Sequence, residues 1–254
     1  MLKVLSSKLG FAVLAVCAGC VSTGASALTL PTTFVQADAV FNFSQDAVDS
    51  LAAARTTISP LGNSFAVASA TQAFDLPVTK VDVSIGLFPP SLTPVSGESM
   101  GSALLITRGA RSLALANFQI DFNNEKVKAD IITNGITTKG VSIYDFDVAS
   151  PLHIGLSGWT LNMTEQLNHL VLTSEGLTAF ASALNLSRVL QAPLTTLDFG
   201  TINIDIKGAL RLPPVSDKPF TVANMPAVPE PSTWVLMALG LVGVAVIARR
   251  QRAA

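Results

Sequence analysis

Through the middle of the chain apolar and polar residues take turns. Phe118, Ile120 and Phe122 alternate with Gln119, Asp121 and Asn123, and Val127, Ala129 and Ile131 with Lys126, Lys128 and Asp130. Ile202, Ile204 and Ile206 do the same with Asn203, Asp205 and Lys207. Successive side chains of a strand point to opposite faces, so each run predicts a strand with one buried and one wet face, as in antiparallel sheet. Asn123-Asn124 and Asn134-Gly135 fall between such runs as hairpin turns, and Asn-Gly favours the type I′ geometry that matches strand twist.

Helical spacing occurs twice. From Leu28 to about Gly62 the chain reads as partly helical, with Ser44 placed to cap a run carrying Ala47, Val48, Leu51 and Ala54 on one face. From Ser174 to Asn185 a second helix lines up Leu177, Phe180, Ala181 and Leu184. Proline-rich stretches at Phe88 to Pro94 and Leu212 to Pro219 read as loops. No repeat of constant period and no heptads occur, which excludes solenoids and coiled coils. The expected fold is mainly β: an antiparallel β-sandwich or open barrel with one or two flanking helices, plus one C-terminal transmembrane helix.

The two ends differ from this body. Lys3 and Lys8 precede the apolar stretch Phe11 to Val21, short for a membrane span but suited to a secretory signal. Ala25 and Ala27 supply the small residues a signal peptidase requires, so cleavage after Ala27 is expected, with a mature start at Leu28. Ala18-Gly19-Cys20 leaves a lipoprotein reading open, although Cys17 stands where Leu or Val is usual. At the other end Trp234 to Ala248 is apolar and stops at Arg249, Arg250 and Arg252. At 1.5 Å per residue this run makes a helix of about 22 Å, against a hydrocarbon core of about 30 Å. Trp234 at one interface and the arginines at the other extend its reach and keep the tail cytoplasmic. Pro229 and Pro231 hold Glu230 in an extended segment just outside the membrane.

Pro229-Glu230-Pro231, a short apolar helix and a terminal arginine cluster together resemble the PEP-CTERM sorting signal of Gram-negative bacteria that make exopolysaccharide. The resemblance covers about the last 29 residues. It implies a partner enzyme, an exosortase, that cuts near the motif and passes the protein to the outer surface. The expected organisation is a signal peptide at 1–27, a β-rich extracytoplasmic domain at 28–211, a Pro-rich stalk at 212–228 and the sorting signal at 229–254.

Composition narrows what the body can do. Once the charges in the two end segments are set aside, the body carries 11 basic and 16 acidic side chains, a net of −5. That gives no electrostatic footprint for a phosphate backbone, so nucleic acid is not an expected partner. Both cysteines, Cys17 and Cys20, lie in the N-terminal apolar run, so a processed body has no disulfide, thiol nucleophile or Cys-metal site.

Several residues invite chemistry. Gly97-Glu98-Ser99-Met100-Gly101 matches G-x-S-x-G, with Asp145, Asp147, His153 and His169 following in Ser, Asp, His order. A nucleophile elbow needs a strand before the serine and a helix after it. Here Pro89, Pro90 and Pro94 precede the motif and the strand-like Ser102 to Thr107 follows, so it reads as a glycine-flanked loop. Asp145 and Asp147 share one side of a strand and could work as an acid and base or hold a hard cation, but a solvated face accounts for them. Asp121 to Glu125 resembles the start of a calcium loop, yet Lys126 stands where glycine is required, and a hairpin turn explains it. His153 and His169 have no carboxylate cluster at ligand spacing. Tyr144 and Trp159 could stack on a sugar or haem, or pack a core.

No catalytic residue, metal site or cofactor is assigned on this basis. The expectation is a non-enzymatic exported protein, transiently held in the membrane, processed by signal peptidase and exosortase, and associated outside the cell with exopolysaccharide or biofilm. The alternatives are a secreted serine hydrolase using Ser99 and a haem- or cation-binding surface module. Leu170 to Thr173 running into Glu175-Gly176-Leu177 is similar to modules of the HtaA type on bacterial surfaces, a likeness from which no haem-binding residue is carried across.

Overall fold

A computed structural model describes residues 26–226 except 70, 88, 89, 158 and 159. The alternating runs are strands, and strand makes up 61% of the structure. In chain order the elements are β1 (Ser26–Pro31), β2 (Val35–Phe43), α1 (Gln45–Ala53), β3 (Thr56–Gly62), β4 (Phe65–Val67), β5 (Ala73–Pro77), β6 (Lys80–Leu87) and β7 (Pro90–Arg108). There follow β8 (Arg111–Asp121), β9 (Lys126–Thr133), β10 (Ile136–Ser157), β11 (Thr160–Leu172), α2 (Ser174–Leu184), α3 (Arg188–Gln191) and β12 (Gly200–Leu210).

All the strands belong to one 12-stranded sheet, in the order β1-β6-β7-β8-β9-β10-β11-β12-β2-β5-β4, with β3 added beside β7. Every pairing is antiparallel. The sandwich alternative is therefore corrected to a single open sheet curled into a half-barrel. Bulges cause the curl. Between the pairs Ser99↔Phe118 and Ala103↔Ala116, three residues of β7 stand opposite Asn117 alone. An extra residue bends a strand and reverses which face later side chains take. Leu113 and Leu115 thus reach the main core from odd positions of β8, and Phe118 and Ile120 from even ones.

The curl brings distant strands together. β5 runs into β6 through Val78, whose N–H donates to the Ala37 carbonyl (2.8 Å), and Thr79, whose N–H donates to the Glu98 carbonyl (2.8 Å). Inside the curve Phe41 stacks on Phe43 at 4.3 Å and meets Tyr144 edge-on at 5.7 Å. Tyr144, one of the two aromatics offered for ligand stacking, is 2% exposed and packs the core; Trp159 lies outside the described residues.

The two helices are found where spacing placed them. Ser44 caps α1 by accepting from the Ala47 N–H (3.1 Å), and its hydroxyl donates to the Asp198 carbonyl (2.6 Å). Strands flank this helix on both sides, so the N-terminal segment is mostly β. Thr173 caps α2, which ends at Asn185 in the left-handed conformation. The Asn134-Gly135 turn has positive φ at both residues, as type I′ requires.

The loop expected over Phe88 to Pro94 is corrected in its described part: residues 90–94 belong to β7 and pair with β6. This stretch extends beyond Ser96↔Asp121, the last pair with β8, so its other side is a free edge that tolerates proline. Residues 211–226 form no strand but lie along the body. The Arg211 N–H donates to Phe34, the Asn63 side chain to Ser216, and Phe220 is buried against Ala103, Ala114, Ala116 and Ile132 on the outer face.

Among the described residues no helix is long and apolar enough to cross a membrane. The expected membrane helix, Pro229, Glu230, Pro231, Trp234, the arginine cluster and Ala25 lie outside those residues. Ala27 falls within β1, which pairs with β6 from Ser26 onward.

Candidate functional site

The G-x-S-x-G segment lies in the interior of β7, at the bulge, and is neither the expected loop nor an elbow. Ser99 is 5% exposed and donates to the Leu76 carbonyl at 3.2 Å, tying β7 to β5. Packing explains one of the two glycines. Gly101 has φ +75°, and a Cβ there would come within 2.7 Å of the Asn63 side chain and 2.9 Å of the Lys218 carbonyl. Gly97 is the opposite case: a Cβ on it would meet nothing within 4 Å.

Asp145 and Asp147 do share the exposed face of β10, as expected. Lys126 pairs with Asp145 at 2.5 Å, and His169 Nδ1 lies 3.3 Å from Asp147. Asp145, Asp147 and His169, with Asn124 and Glu125, rim an open dish on the outer surface. Among the described residues no three His, Cys, Asp or Glu side chains are placed to hold a metal ion. His153 is also exposed, but its register partner is Thr164, several residues from the dish. Asp121 accepts from the Asn124 backbone and side chain and from Lys128, which makes a braced hairpin turn. Those bonds, Lys128 foremost, hold its carboxyl below the usual range.

The curved inner face carries the feature with most chemical consequence. Phe118, Ile120, Met163, Ile202, Ile204 and Ile206 wall an apolar trough with a cavity volume of about 50 Å³. Ligand sites are commonly apolar hollows with a few polar groups, and this one is small and open on one side. Here the only ionisable group in the wall is Glu165 on β11, opposite Ile204 of β12 and 6% exposed. Burial alone pushes its pKa up to about 7. Motif reasoning passed over Glu165, but the signal was there: Met163, Glu165 and Leu167 form one period-2 face, and the central member is an acid.

A second buried acid, Asp75 on β5, lies away from the trough. Burial first, then the neighbouring Asp38 carboxylate, raise its pKa to about 7 against the opposing pull of Arg211. Arg211 bonds Asp38 and the Ala37 carbonyl. Its Nη1 and Asp75 Oδ1 remain buried without partners among the described residues. This group secures the start of the 211–226 segment.

Comparison with known proteins divides the same way as the structure, into body and C-terminus. No curated protein matches the chain. Among solved structures the body is similar to the C-terminal domain of HtaA from Corynebacterium glutamicum, at 12% identity over 68% of this chain and 98% of that one, with a TM-score of 0.39. A domain-swapped dimer of a variant of that domain matches at 14% identity over 65% and 90%, with a TM-score of 0.35. Likeness at this level assigns no ligand or residue role. The family model for the PEP-CTERM protein-sorting motif matches residues 227–252, directly after the last residue described here. That motif implies export, transient membrane anchoring and processing by an exosortase. The chain therefore carries a PEP-CTERM protein-sorting motif at its C-terminus.

Proposed function

We propose that the protein works outside the cell as a non-enzymatic surface or matrix component, associated with exopolysaccharide once its sorting signal has been processed. The observation that carries this reading is the PEP-CTERM motif at 227–252 following a folded β-body. Signal peptidase removes residues 1–27, leaving Leu28 to Pro31 in the β1 ladder against β6. The apolar segment from Trp234 and the arginines at 249, 250 and 252 then hold the chain in the inner membrane with Glu230 presented outside. The body supports a binding role because its one G-x-S-x-G serine is committed to a backbone carbonyl.

The intact mass of the protein, in supernatant and membranes of an exosortase-positive strain and its deletion, tests the route. A supernatant species starting at Leu28 and ending near Glu230, absent from the deletion, is expected. Full-length mature protein in the membranes of both strains would overturn it. The matrix role predicts that the processed species co-sediments with exopolysaccharide and is released when that polymer is digested. Covalent labelling by a serine-directed phosphonate, lost in Ser99→Ala, would replace the binding role with hydrolysis.

A further inference from the structure

The trough on the inner face contains an imbalance that packing does not explain. Its walls are hydrocarbon, yet Glu165 projects among them, 6% exposed, with no hydrogen-bond or ion-pair partner among the described residues and with its oxygens reached from the open side. No Lys, Arg or His lines the space. An ionised carboxyl can only accept hydrogen bonds. The site is therefore rich in acceptors, poor in donors and otherwise apolar.

Gly97 shows that the space is kept open. It stands in register between Val81 of β6 and Ile120 of β8, both of which line the trough, so a side chain at 97 would face the same way. A Cβ there would touch nothing within 4 Å, whereas well-packed interiors leave few such voids. The Pro151-Leu152 bulge of β10 lies across from Glu165, between the pairs Ser150↔Gln166 and His153↔Thr164, and brings Leu152 into the lining.

We propose that this trough is a binding site for an apolar molecule bearing a single hydrogen-bond donor, an amine or a hydroxyl, which the Glu165 carboxyl accepts. The apolar walls take the hydrocarbon part, and the donor supplies what the acid lacks. An anionic amphiphile is disfavoured, because its head would meet a carboxyl with no cation beside it. The raised pKa of Glu165 has the same origin, and a bound ammonium would lower it by stabilising the charged form. This inference concerns the body and does not depend on how the C-terminus is processed.

The test is calorimetric titration of the full-length chain in lipid nanodiscs with n-octylamine, 1-octanol and octanoate, each corrected for empty discs. Octylamine or octanol should bind saturably at pH 8, with octanoate weaker by about tenfold, the worth of one hydrogen bond to a charged group. Octylamine alone would identify the donor as an amine, octanol alone as a hydroxyl. Octylamine binding should strengthen from pH 6 to pH 8 as Glu165 ionises. Glu165→Leu removes an unpaired acid and so keeps the fold, but should erase the preference over octanoate. Gly97→Leu fills the trough and should abolish binding of all three. Absence of saturable heat in the wild type, an unchanged ranking in Glu165→Leu, or unchanged binding in Gly97→Leu would overturn the proposal.

Discussion

Asp75 and Glu165 each have a pKa of about 7 in the folded protein because burial disfavours their charge. Both values lie above those of the unfolded chain. Between about pH 4 and about pH 7 the folded state thus holds two protons that the unfolded chain has released, and stability falls as pH rises through that window. Asp82 and Asp121 act in the opposite sense. Hydrogen bonds, led by Ser96 for the first and Lys128 for the second, lower their pKa values, and that stability is lost as pH falls below their ordinary range. Urea unfolding of the processed protein should therefore show greatest stability in mildly acidic solution. Asp75→Asn and Glu165→Gln should each flatten the decline toward pH 8, by roughly 1–3 kcal/mol; a wild-type profile already flat from pH 5 to pH 8 would contradict this. Asn117 is a second sensitive residue. Buried at the β7–β8 bulge with φ +52°, it accepts from the Gly101 and Phe220 N–H groups and donates to Asp130 and the Phe220 carbonyl. Asn117→Ala should cost about 3 kcal/mol, since it orphans several buried partners at once.

At the level of elements, α2 shows how packing outweighs helix propensity. Gly176 in its first turn would ordinarily be improved by alanine, which is favoured by about 1 kcal/mol in a helix. A Cβ there, however, would lie 2.5 Å from the Ile143 carbonyl of β10. Gly176→Ala should therefore destabilise the protein by about 1–3 kcal/mol and lift α2 from the sheet, detectable as faster amide exchange in residues 174–184. The 211–226 segment behaves as a strap held by Arg211, Asn63 and the Asn117–Phe220 bonds. Phe220, followed by Thr221, offers chymotrypsin a site within it, and cleavage requires the strap to detach. Wild-type protein should resist cutting there, and Asn117→Ala should be cut after Phe220 at low protease. Equal cutting in both would show that Asn117 does not hold the strap.

At the scale of the whole molecule, the strap joins the half-barrel to the sorting motif. Four residue steps separate Pro226, the last described residue, from Glu230, and they span at most about 14 Å. A docked strap therefore confines the exosortase motif to the immediate neighbourhood of the folded body. Inserting about ten Gly and Ser residues after Pro226 lengthens that leash without touching the motif. It should raise the processed fraction if the body crowds the protease; an unchanged fraction would show that the strap already gives full access. The curled sheet matters at this scale too, since one face becomes a concave apolar wall while the opposite face carries Asp145, Asp147 and the other charges of a mildly acidic surface.

The C-terminal sorting motif and the strand faces were legible because each is a local signal. A Pro-Glu-Pro followed by an apolar run and arginines needs no tertiary context, and the isoleucines at 202, 204 and 206 turn inward together as their spacing required. Ser44 and the Ser174 to Asn185 run marked both helices for the same reason, since capping and the 3.6-residue period act within one element. Long-range pairing was not legible. The bulge opposite Asn117 changes which residues of β7 and β8 face inward, and only the partner strand reveals that two of their residues have slipped out of register. Closure of the sheet through Val78 and Thr79, the strap over Ala103 and Ile132, and the isolation of Glu165 all join residues far apart in the chain. Sequence by itself determined that the chain carries a sorting motif and that its body is antiparallel β, because both are written in short-range patterns. Tertiary structure alone decided that the sheet curls into an open half-barrel with an acid in its apolar inner wall, because burial and pairing exist only once distant strands meet.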